Sequence, residues 1–316
     1  MEKPNLQLNK QGVLGINARN LDYILANNRR KFYPLVDDKV QTKSWADGMG
    51  IQSPEIYGVI EYQQQVKYLP RMIEGKSDFV IKPAHGSGGG GIMVITDVVT
   101  LEDGSKSYLK GSGKGYSLAD IQYHVSQTLS GLYALGGVTD QAIIQYRVKT
   151  DPFFDAITYQ GVPDIRLIVY HGVPVMAMLR LPTKKSDGKA NLHTGGIGVG
   201  IEIKTGRTTH AVQHNHPVTK HPDTGGLLRD LIIPHWDAIL QMGARFEASM
   251  GLGYIGVDIV IDKELGPMLL EANARPGISI QIANQSGLKA RLKLVGQHLS
   301  SLQGMEQKIA FAREHF

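Results

Sequence analysis

The segment IKPAHGSGGGGIMVI, residues 81–95, constrains the fold more than any other part of the sequence. It places a run rich in glycine between two stretches of strand-forming apolar residues, so it connects two strands and does not open a helix. It also lacks the Gly-Lys-Ser/Thr ending of a phosphate-binding P-loop and the glycine spacing of the dinucleotide fingerprint. The sequence therefore disfavours both of these common nucleotide-binding folds.

Two interpretations of this glycine loop stay open on its own residues. Glycines adopt positive φ angles readily and can turn several N–H groups toward an anion, and Lys82 on the entering strand would add a positive charge. The same glycines also suit the tip of a floppy hairpin without a ligand. Further glycine clusters at 195–200 and 251–256 mark two more segments in which to look for function.

The rest of the chain predicts hairpins mixed with helices. Helices are predicted over 18–32, 117–137, 233–251 and 288–316, and the second has Ser117 as N-cap and Gly136-Gly137 as its end. A tight turn is predicted at His171-Gly172, and a long polar stretch bearing histidines follows Gly206. Because strands and helices do not alternate regularly, we expect an α+β fold and not a doubly wound parallel sheet.

Composition narrows the possible chemistry. The sequence has no cysteine, which excludes disulfides, thiolate metal sites and a cysteine nucleophile. The net charge of +5 suits acidic ligands, but the longest basic run is only Arg29 to Lys31, so we expect no nucleic-acid partner. No uncharged apolar run approaches the roughly 18 residues that a membrane-spanning helix needs. We therefore expect a cytoplasmic protein with no membrane partner.

Two acidic residues near the C-terminal hairpin indicate a metal site. If the chain turns between Glu264 and Leu265, Asp258 lies directly opposite Glu271, and alternation along the strand puts Asn273 on the same face. Opposed carboxylates repel each other, so a cation should lie between them, and Mg²⁺ or Mn²⁺ is the simplest choice for oxygen ligands. The alternative is that one acid is solvated at the strand end or paired with Arg275.

Eight segments, in order along the chain, resemble one superfamily. They are DDKVQTK, FVIKPAHGSGGGG, IIQYRV, DIRLIV, AMLRLP, ANLHTGG, GVDIVI and LLEANARPG. Between Asp37 and Ile280 they look like the ATP-grasp fold, and more narrowly like the RimK-type and related α-L-glutamate ligases. The resemblance implies two α+β lobes that grip ATP.

The resemblance also implies a division of the chain and roles for individual residues. The division is a shortened N-terminal helical region (1–76), a central lobe with the glycine-rich lid (77–148) and a C-terminal lobe with the metal site (149–316). The positions that match nucleotide contacts are Lys39, Lys82, Gly86, Ser87, Gly88, Gly89, Gly90, Gly91, Gln145, Arg147, Val148 and Asp164.

The second half of the chain matches the metal, catalytic and substrate positions of the superfamily. Asp258, Glu271 and Asn273 match the ligands of two Mg²⁺ (or Mn²⁺) ions, in agreement with the hairpin pairing. Lys82, Arg166, Arg180 and Asn191 match catalytic positions, and the candidate substrate contacts are Arg166, Arg180, His193 and Arg275.

Several positions depart from the superfamily pattern or stay open. Tyr146 stands where a glutamate is usual, so Asp151 or Asp155 is the candidate contact to the ribose. Arg275 would clamp a substrate carboxylate or pair with Asp258. Three roles stay open for His85: it could contact a phosphate, contact the incoming carboxylate, or cap the loop. The histidines at 210, 214, 216 and 221 are expected to lie in a surface loop and not to bind zinc.

The expected function is that of an ATP-dependent, ADP-forming carboxylate–amine ligase that works through an acylphosphate. We expect its partners to be a small-molecule or peptide carboxylate and the amine of glutamate or a similar amino acid, and a homo-oligomer stays open. The alternatives are an ATP-grasp phosphotransferase that acts on a hydroxyl and a nucleotide-binding protein without catalysis. The sequence alone does not identify the substrates.

Overall fold

The computed structural model of the chain describes residues 11–86, 88–134 and 137–316. Ser87 of the glycine loop and Gly136, expected at a helix end, lie outside the described residues. The chain forms two compact units. The larger unit comprises residues 11–37, 41–53 and 149–316, and the smaller unit comprises residues 38–40 and 54–148.

The larger unit is built on an antiparallel sheet. Its order is β12-β11-β10-β9-β8-β13-β14, and aliphatic residues that are fully buried fill both faces of its central strands. The seven strands are β8 (Asp164–Tyr170), β9 (Val173–Leu181), β10 (Ile197–Ile201), β11 (Thr208–Gln213), β12 (His216–Val218), β13 (Tyr254–Asp262) and β14 (Gly266–Asn273).

Helices cover both faces of this sheet. The larger unit contains the helices α1 (Ile16–Ala18), α2 (Pro34–Asp37), α3 (Lys39–Gly48, which begins in the smaller unit), α6 (Trp236–Met250), α7 (Ile280–Asn284), α8 (Leu288–His298) and α9 (Gly304–His315). Single helical turns of other types occur at Arg19–Leu25, Arg30–Phe32, Pro152–Phe154, Leu192–Thr194 and Leu299–Ser301.

Glycines let two of these helices approach the sheet from opposite sides. A Cβ atom at Gly243 of α6 would lie 2.5 Å from the Leu167 side chain on one face. On the other face, a Cβ atom at Gly200 would lie 2.6 Å from the carbonyl oxygen of Ala283 in α7. The glycine cluster at 195–200 therefore serves close packing here, as does Gly256, where a Cβ atom would lie 2.7 Å from Pro276.

The smaller unit combines two antiparallel sheets with helices. One sheet has the order β1-β7-β2-β3 and the other β4-β5-β6. Its strands are β1 (Ile56–Ile60), β2 (Phe79–Pro83), β3 (Met93–Ile95), β4 (Asp97–Thr100), β5 (Lys106–Leu109), β6 (Gly115–Tyr116) and β7 (Ala142–Gln145), and its helices are Gln63–Tyr68, α4 (Leu69–Met72) and α5 (Leu118–Leu129).

The α+β prediction is confirmed, and several predicted elements need correction. Ser117 caps α5 as expected, but this helix ends at Leu129 because Gly131 takes a positive φ of 81°. The C-terminal helix is broken between α8 and α9. The polar stretch after Gly206 contains strands β11 and β12.

The predicted helix over 18–32 continues only to Asn27, with a π-helical turn at Arg19–Leu25. Asn28 lies outside the helix because its side chain forms hydrogen bonds to backbone groups of β13 and of the residue that follows β14. Its amide donates to the carbonyl oxygens of Tyr254 and Ala274 at 2.6 and 3.0 Å, and its own oxygen accepts from the Tyr254 N–H. Among the helices of the described residues, none has the length and apolar character to cross a membrane.

Candidate functional site

One face of the larger sheet collects charged side chains from four neighbouring strands. Arg166 on β8 lies directly opposite Asp258 on β13, which lies directly opposite Glu271 on β14. Two residues before Arg166 on β8, Asp164 lies opposite Arg180 on β9. Residues opposite each other in a ladder point to the same face of the sheet. We call Arg166, Arg180, Asp164, Asp258, Glu271 and Asn273 the charged face.

The pairing of Asp258 with Glu271 is confirmed, although the turn differs from the expected one. Near the turn, Asp262 pairs with Gly266 and Ile259 pairs with Leu269. Between Ile259 and Asp258 the register shifts by one residue, which leaves Leu270 as the extra residue of a β-bulge. Without this bulge, alternation would turn Glu271 to the opposite face of the sheet. The bulge therefore brings Glu271 onto the charged face.

Arginine side chains hold the two buried aspartates of the charged face. Arg166 donates to both oxygens of Asp258 at 2.7 and 2.5 Å, and Arg180 donates to both oxygens of Asp164 at 2.5 and 2.8 Å. Arg180 also donates to Asp258 at 2.7 Å and so joins the two pairs. Bidentate arginine–carboxylate contacts of this kind are strong and directional.

Burial and charge act in opposite directions on these acids. Burial would raise the pKa of Asp258, but the guanidinium groups of Arg166 and Arg180 prevail and hold that pKa below its usual value. For Asp164, burial prevails over the attraction of Arg180, and the nearby Asp258 charge adds to the effect, so its pKa is raised to about 6. Asp258 is therefore ionised at neutral pH and Asp164 is ionised above about pH 6.

The predicted metal ligands lie together on the charged face. The amide of Asn273 approaches Asp258 at 3.5 Å, and Glu271 is half-buried beside them. Among described residues, no group of three or more histidine, cysteine, aspartate or glutamate side chains could hold a metal ion. The trio Asp258, Glu271 and Asn273 contains an asparagine, so it is a different kind of candidate. Its assignment to a metal stays a prediction.

The other residues predicted for the larger unit lie in local structure. Asn191 caps the turn Leu192–Thr194 by accepting the N–H of His193 at 3.0 Å, and the side chain of His193 is exposed. Asp155 is exposed after the turn Pro152–Phe154. Arg275 is exposed with its guanidinium carbon 5.0 Å from the centre of the Tyr33 ring, and Asp258 pairs with other arginines, so the suggested Arg275–Asp258 pair is wrong.

In the smaller unit, the glycine loop is attached at both ends. Lys39 donates to the carbonyl oxygens of Ala84 and Gly86 at 3.1 and 2.9 Å, and His124 of α5 contacts the carbonyl oxygen of Gly91 at 2.9 Å. The loop needs its glycines, since Gly88, Gly89 and Gly91 have φ angles of 62°, 77° and 72°. Lys39, expected at a phosphate, thus bonds the entry to the loop.

The strands beneath the loop hold the remaining predicted nucleotide contacts. Lys82 on β2 is buried at 8% exposure and lies opposite Ile143 of β7. Gln145 is buried in β7, and Arg147 donates to Asp78 at 3.2 Å. Val148, at the end of this unit, is also buried.

The loop entry also contains a pair that the sequence reading did not identify. His85 Nδ1 lies 2.8 Å from Oδ1 of Asp140, whose side chain is fully buried. The β2–β7 register matches Pro83 with Ala142, and continuing it by two residues puts His85 opposite Asp140. That register joins strands far apart in sequence, so no turn in the chain reveals it. In the sequence, the only signals for this pair were a histidine in the glycine loop and an aspartate just before a predicted strand.

The histidines of the predicted loop belong to no group of three or more histidine, cysteine, aspartate or glutamate side chains that could hold a metal ion, as far as the described residues go. His221 is buried and its ring contacts the carbonyl oxygen of Pro182 at 2.9 Å and accepts the N–H of Asp223. His214 and His216 are exposed at the β11–β12 turn and on β12. The expectation of a surface loop is therefore wrong for His210, which lies on β11, and for His221, which is buried.

Comparison with known proteins gives one family and a set of similar folds. Residues 18–297 match the model of a family described as sugar-transfer associated ATP-grasp. No curated protein matches the sequence.

Three solved structures illustrate the similar folds. A RiPP-associated ATP-grasp ligase from Chryseobacterium gregarium is 14% identical, with a TM-score of 0.46 over 88% of this chain and 63% of its own. D-alanyl-alanine synthetase A from Vibrio cholerae is 12% identical, with a TM-score of 0.46 over 89% and 66%. A RimK domain protein from Sphaerobacter thermophilus is 13% identical, with a TM-score of 0.44 over 84% and 70%. The chain thus spans less than two thirds of the length of the first two.

Proposed function

The chain belongs to the sugar-transfer associated ATP-grasp family, and from this premise we propose that it is an ATP-dependent, ADP-forming ligase that joins a carboxylate to an amine. The observation that carries the proposal is the charged face, where Glu271 and Asn273 lie beside Asp258 and two buried arginines. Activation of a carboxylate by ATP needs oxygen ligands for a divalent cation and fixed positive charges for the transferred phosphoryl group. The charged face has both.

The donor set of the charged face fits Mg²⁺ or Mn²⁺. Glu271, Asn273 and Asp258 offer the carboxylate and amide oxygens that hard divalent cations prefer. Both oxygens of Asp258 already accept guanidinium N–H groups, so Asp258 would exchange one of these contacts for the cation. A bound cation would neutralise part of the triphosphate charge.

The arginines would serve the reacting groups. Each of Arg166 and Arg180 keeps 14% of its side chain exposed, which leaves N–H groups for an anion. In the proposed first step, a carboxylate oxygen of the substrate attacks the γ-phosphorus and ADP leaves. Arg166 and Arg180 would stabilise the charge that spreads over the phosphoryl oxygens. An amine then attacks the acyl carbon and inorganic phosphate leaves.

The substrates we propose are acidic. Two guanidinium groups on one face and the net charge of +5 favour a ligand with several carboxylates. We therefore propose glutamate or a similar amino acid as the amine and an acidic small molecule or peptide as the carboxylate. The family description adds sugars that carry a carboxylate to the compounds worth testing.

A hydroxylamine trap tests the reaction class. The purified protein is incubated with ATP, Mg²⁺, candidate carboxylates and hydroxylamine, and a hydroxamate is expected because hydroxylamine attacks an acylphosphate. ATP consumption that leaves phosphate on the acceptor, with no hydroxamate, would instead favour the phosphotransferase.

Substitution of Glu271 tests the role of the charged face. We expect Glu271→Gln to lower ADP release by about 100-fold or more, since loss of a metal ligand removes several kcal/mol of charge stabilisation. Glu264→Gln is the matched control, because Glu264 lies in the turn of the same hairpin and is 59% exposed. Turnover that persists in Glu271→Gln would contradict the mechanism.

A further inference from the structure

A cavity of the smaller unit lies outside the residues assigned so far. Its volume is about 790 Å³, and it is lined by α4 and the turn after it, by the sheet β4-β5-β6 and by the first turn of α5. Small-molecule sites have volumes of about 300–1,000 Å³. The described lining residues include none of the positions predicted to contact the nucleotide, so the cavity is a separate candidate site.

One wall of the cavity is apolar. Val98 of β4, Tyr108 of β5 and Tyr116 of β6 lie opposite one another in the sheet, so their side chains share one face. Ile73 and Leu118 add apolar surface from the helical side. Tyr108 and Ile73 are each only 5% exposed. Such a lining removes an apolar ligand from water.

Positive charges lie among these apolar residues. The described lining residues include three cations, Arg71, Lys76 and Lys106, and one acid, Glu74. Arg71 and Lys76 each lie over a tyrosine ring, at 5.8 and 4.0 Å from the ring centre. A ring contact of this kind leaves the net charge of the cation in place, whereas a carboxylate partner would neutralise it. The cavity therefore favours an anionic group.

Two more lysines lie beside the β6 wall of the cavity. The ammonium groups of Lys110 and Lys114 are 4.6 and 5.0 Å from the centre of the Tyr116 ring. A hydrogen bond from Lys110, together with one from Lys114, holds the pKa of Tyr116 below its usual value. This wall is therefore electropositive as well.

The acids next to the cavity bind their own turns. Asp103 accepts the N–H and O–H of Ser105 at 2.9 and 2.6 Å, and Asp120 accepts those of Ser117 at 2.8 and 2.7 Å. Both carboxylates are exposed, so water and salt screen their charge. They therefore oppose the lining cations only weakly.

We propose that this cavity binds a small amphipathic anion, which is an organic molecule with an apolar body and a single carboxylate or phosphate group. The apolar body packs against Val98, Tyr108 and Ile73, and the anionic group binds the ammonium groups of Lys76 and Lys106. This inference does not depend on the proposed ligase function, because every residue it uses belongs to the smaller unit and none to the charged face.

A fluorescence titration of the full chain without ATP tests the proposal. The probe is 8-anilinonaphthalene-1-sulfonate (ANS), which joins aromatic rings to a sulfonate and becomes fluorescent when it leaves water. Octanoate and octyl phosphate should displace ANS, and the better competitor identifies the anionic group. Inorganic phosphate lacks the apolar body and octanol lacks the charge, so neither should compete at the same concentration. If either displaced ANS as well as octanoate does, the requirement for an amphipathic anion would be overturned.

Ala119 offers a matched pair of variants that separates charge from size. It lines the cavity and is exposed at the second position of α5. Ala119→Glu puts a carboxylate beside the anion and should weaken ANS binding by about 10-fold or more, whereas Ala119→Gln should stay within about 3-fold of the wild type. Both variants should unfold at the wild-type urea concentration, because the first turn of a helix accepts Glu and Gln.

Lysine variants complete the test. Lys106→Met removes a lining cation and should lower the affinity for ANS by about 5-fold or more. Lys67→Met should leave this affinity unchanged, because Lys67 is exposed, lies over the Tyr68 ring and is not among the described lining residues. Equal affinity for ANS in the wild type, Ala119→Glu and Lys106→Met would show that the probe binds elsewhere and would overturn the proposal.

Discussion

The charged face of the larger unit and the loop entry of the smaller unit hold buried carboxylates in different ways. On the charged face of the larger unit, Asp258 and Asp164 are held by guanidinium groups whose charge is permanent. At the loop entry of the smaller unit, Asp140 is held by two backbone N–H groups and an imidazole. The first arrangement sets permanent positive charges against its carboxylates, whereas the second stabilises Asp140 with hydrogen bonds from backbone groups and an imidazole. Removal of a partner should therefore cost more stability on the charged face than at the loop entry.

The largest effect should come from removing a permanent charge. Arg180→Met leaves Asp164 without its partner and takes one contact from Asp258, both deeply buried, so we expect a loss of about 3–5 kcal/mol in the free energy of unfolding. Urea denaturation at pH 7 measures it. Arg207→Met removes an exposed pair with Asp230 at 3.7 Å and should cost less than about 1 kcal/mol. Equal losses of unfolding free energy in the two variants would show that the contacts of Arg180 on the charged face do not stabilise the protein.

Glu247 of α6 sharpens the comparison because it is a buried acid for which the described residues provide no guanidinium partner. Burial raises its pKa to about 8, against the attraction of Lys308 and a hydrogen bond from the Gly172 N–H. The folded state therefore keeps a proton between about pH 4.5 and 8 that the unfolded state loses, so stability should fall as the pH rises through this range.

Glu247→Gln should remove that slope. We expect the variant to match the wild type near pH 5 and to exceed it by about 3 kcal/mol near pH 7, as judged by urea denaturation at both pH values. Glu306→Gln, at an exposed position in α9, should follow the wild-type slope. A Glu247→Gln variant with the wild-type slope would mean that Glu247 is ionised in the folded protein.

Removal of the Lys39 ammonium group at the loop entry should have the smallest effect on stability. Lys39→Met removes two hydrogen bonds to backbone carbonyl oxygens in a partly exposed place, which should cost about 1 kcal/mol. Because the glycine loop loses one attachment, the KM for ATP should rise more than the unfolding free energy falls. Lys43→Met in the same helix removes a pair with Asp47, 55% exposed, and should leave KM unchanged. A KM that is equal in both variants would argue against a role for Lys39 in ordering the loop.

The difference between the units also explains what the sequence could predict. Asp258 and Glu271 belong to one hairpin, and counting from a turn between Glu264 and Leu265 gave the right pair because the bulge at Leu270 offsets the difference between that turn and the actual one. The α+β class followed from the pattern of hairpins and helices. His85 and Asp140 are 55 residues apart, just beyond the ends of strands that are not consecutive, and their contact depends on a register that only folding reveals. Arg166 and Arg180 were expected at the site, but their bonds to the aspartates depend on the order of strands in the sheet.

Other misses have local physical causes. The stretch after Gly206 is polar because β12 is the edge strand of the sheet and β11 lies next to it, where strands have exposed residues. The break between α8 and α9 occurs at Leu299–Gln303, before Gly304 with its φ of 75°, although apolar residues continue on both sides. The first helix ends early because the side chain of Asn28 bonds distant backbone groups.

The bulge at Leu270 has a consequence for comparing relatives of this protein. One added residue between the turn and Glu271 decides which side of β14 the acid occupies, so a gap placed one position away in an alignment would assign the wrong residue to the site. A change in the length of the three-residue turn after Asp262 can be offset by a change at the bulge, so that the acid stays on the same face of β14. Relatives with shorter or longer turns should therefore be aligned outward from the acidic pair and not inward from the turn.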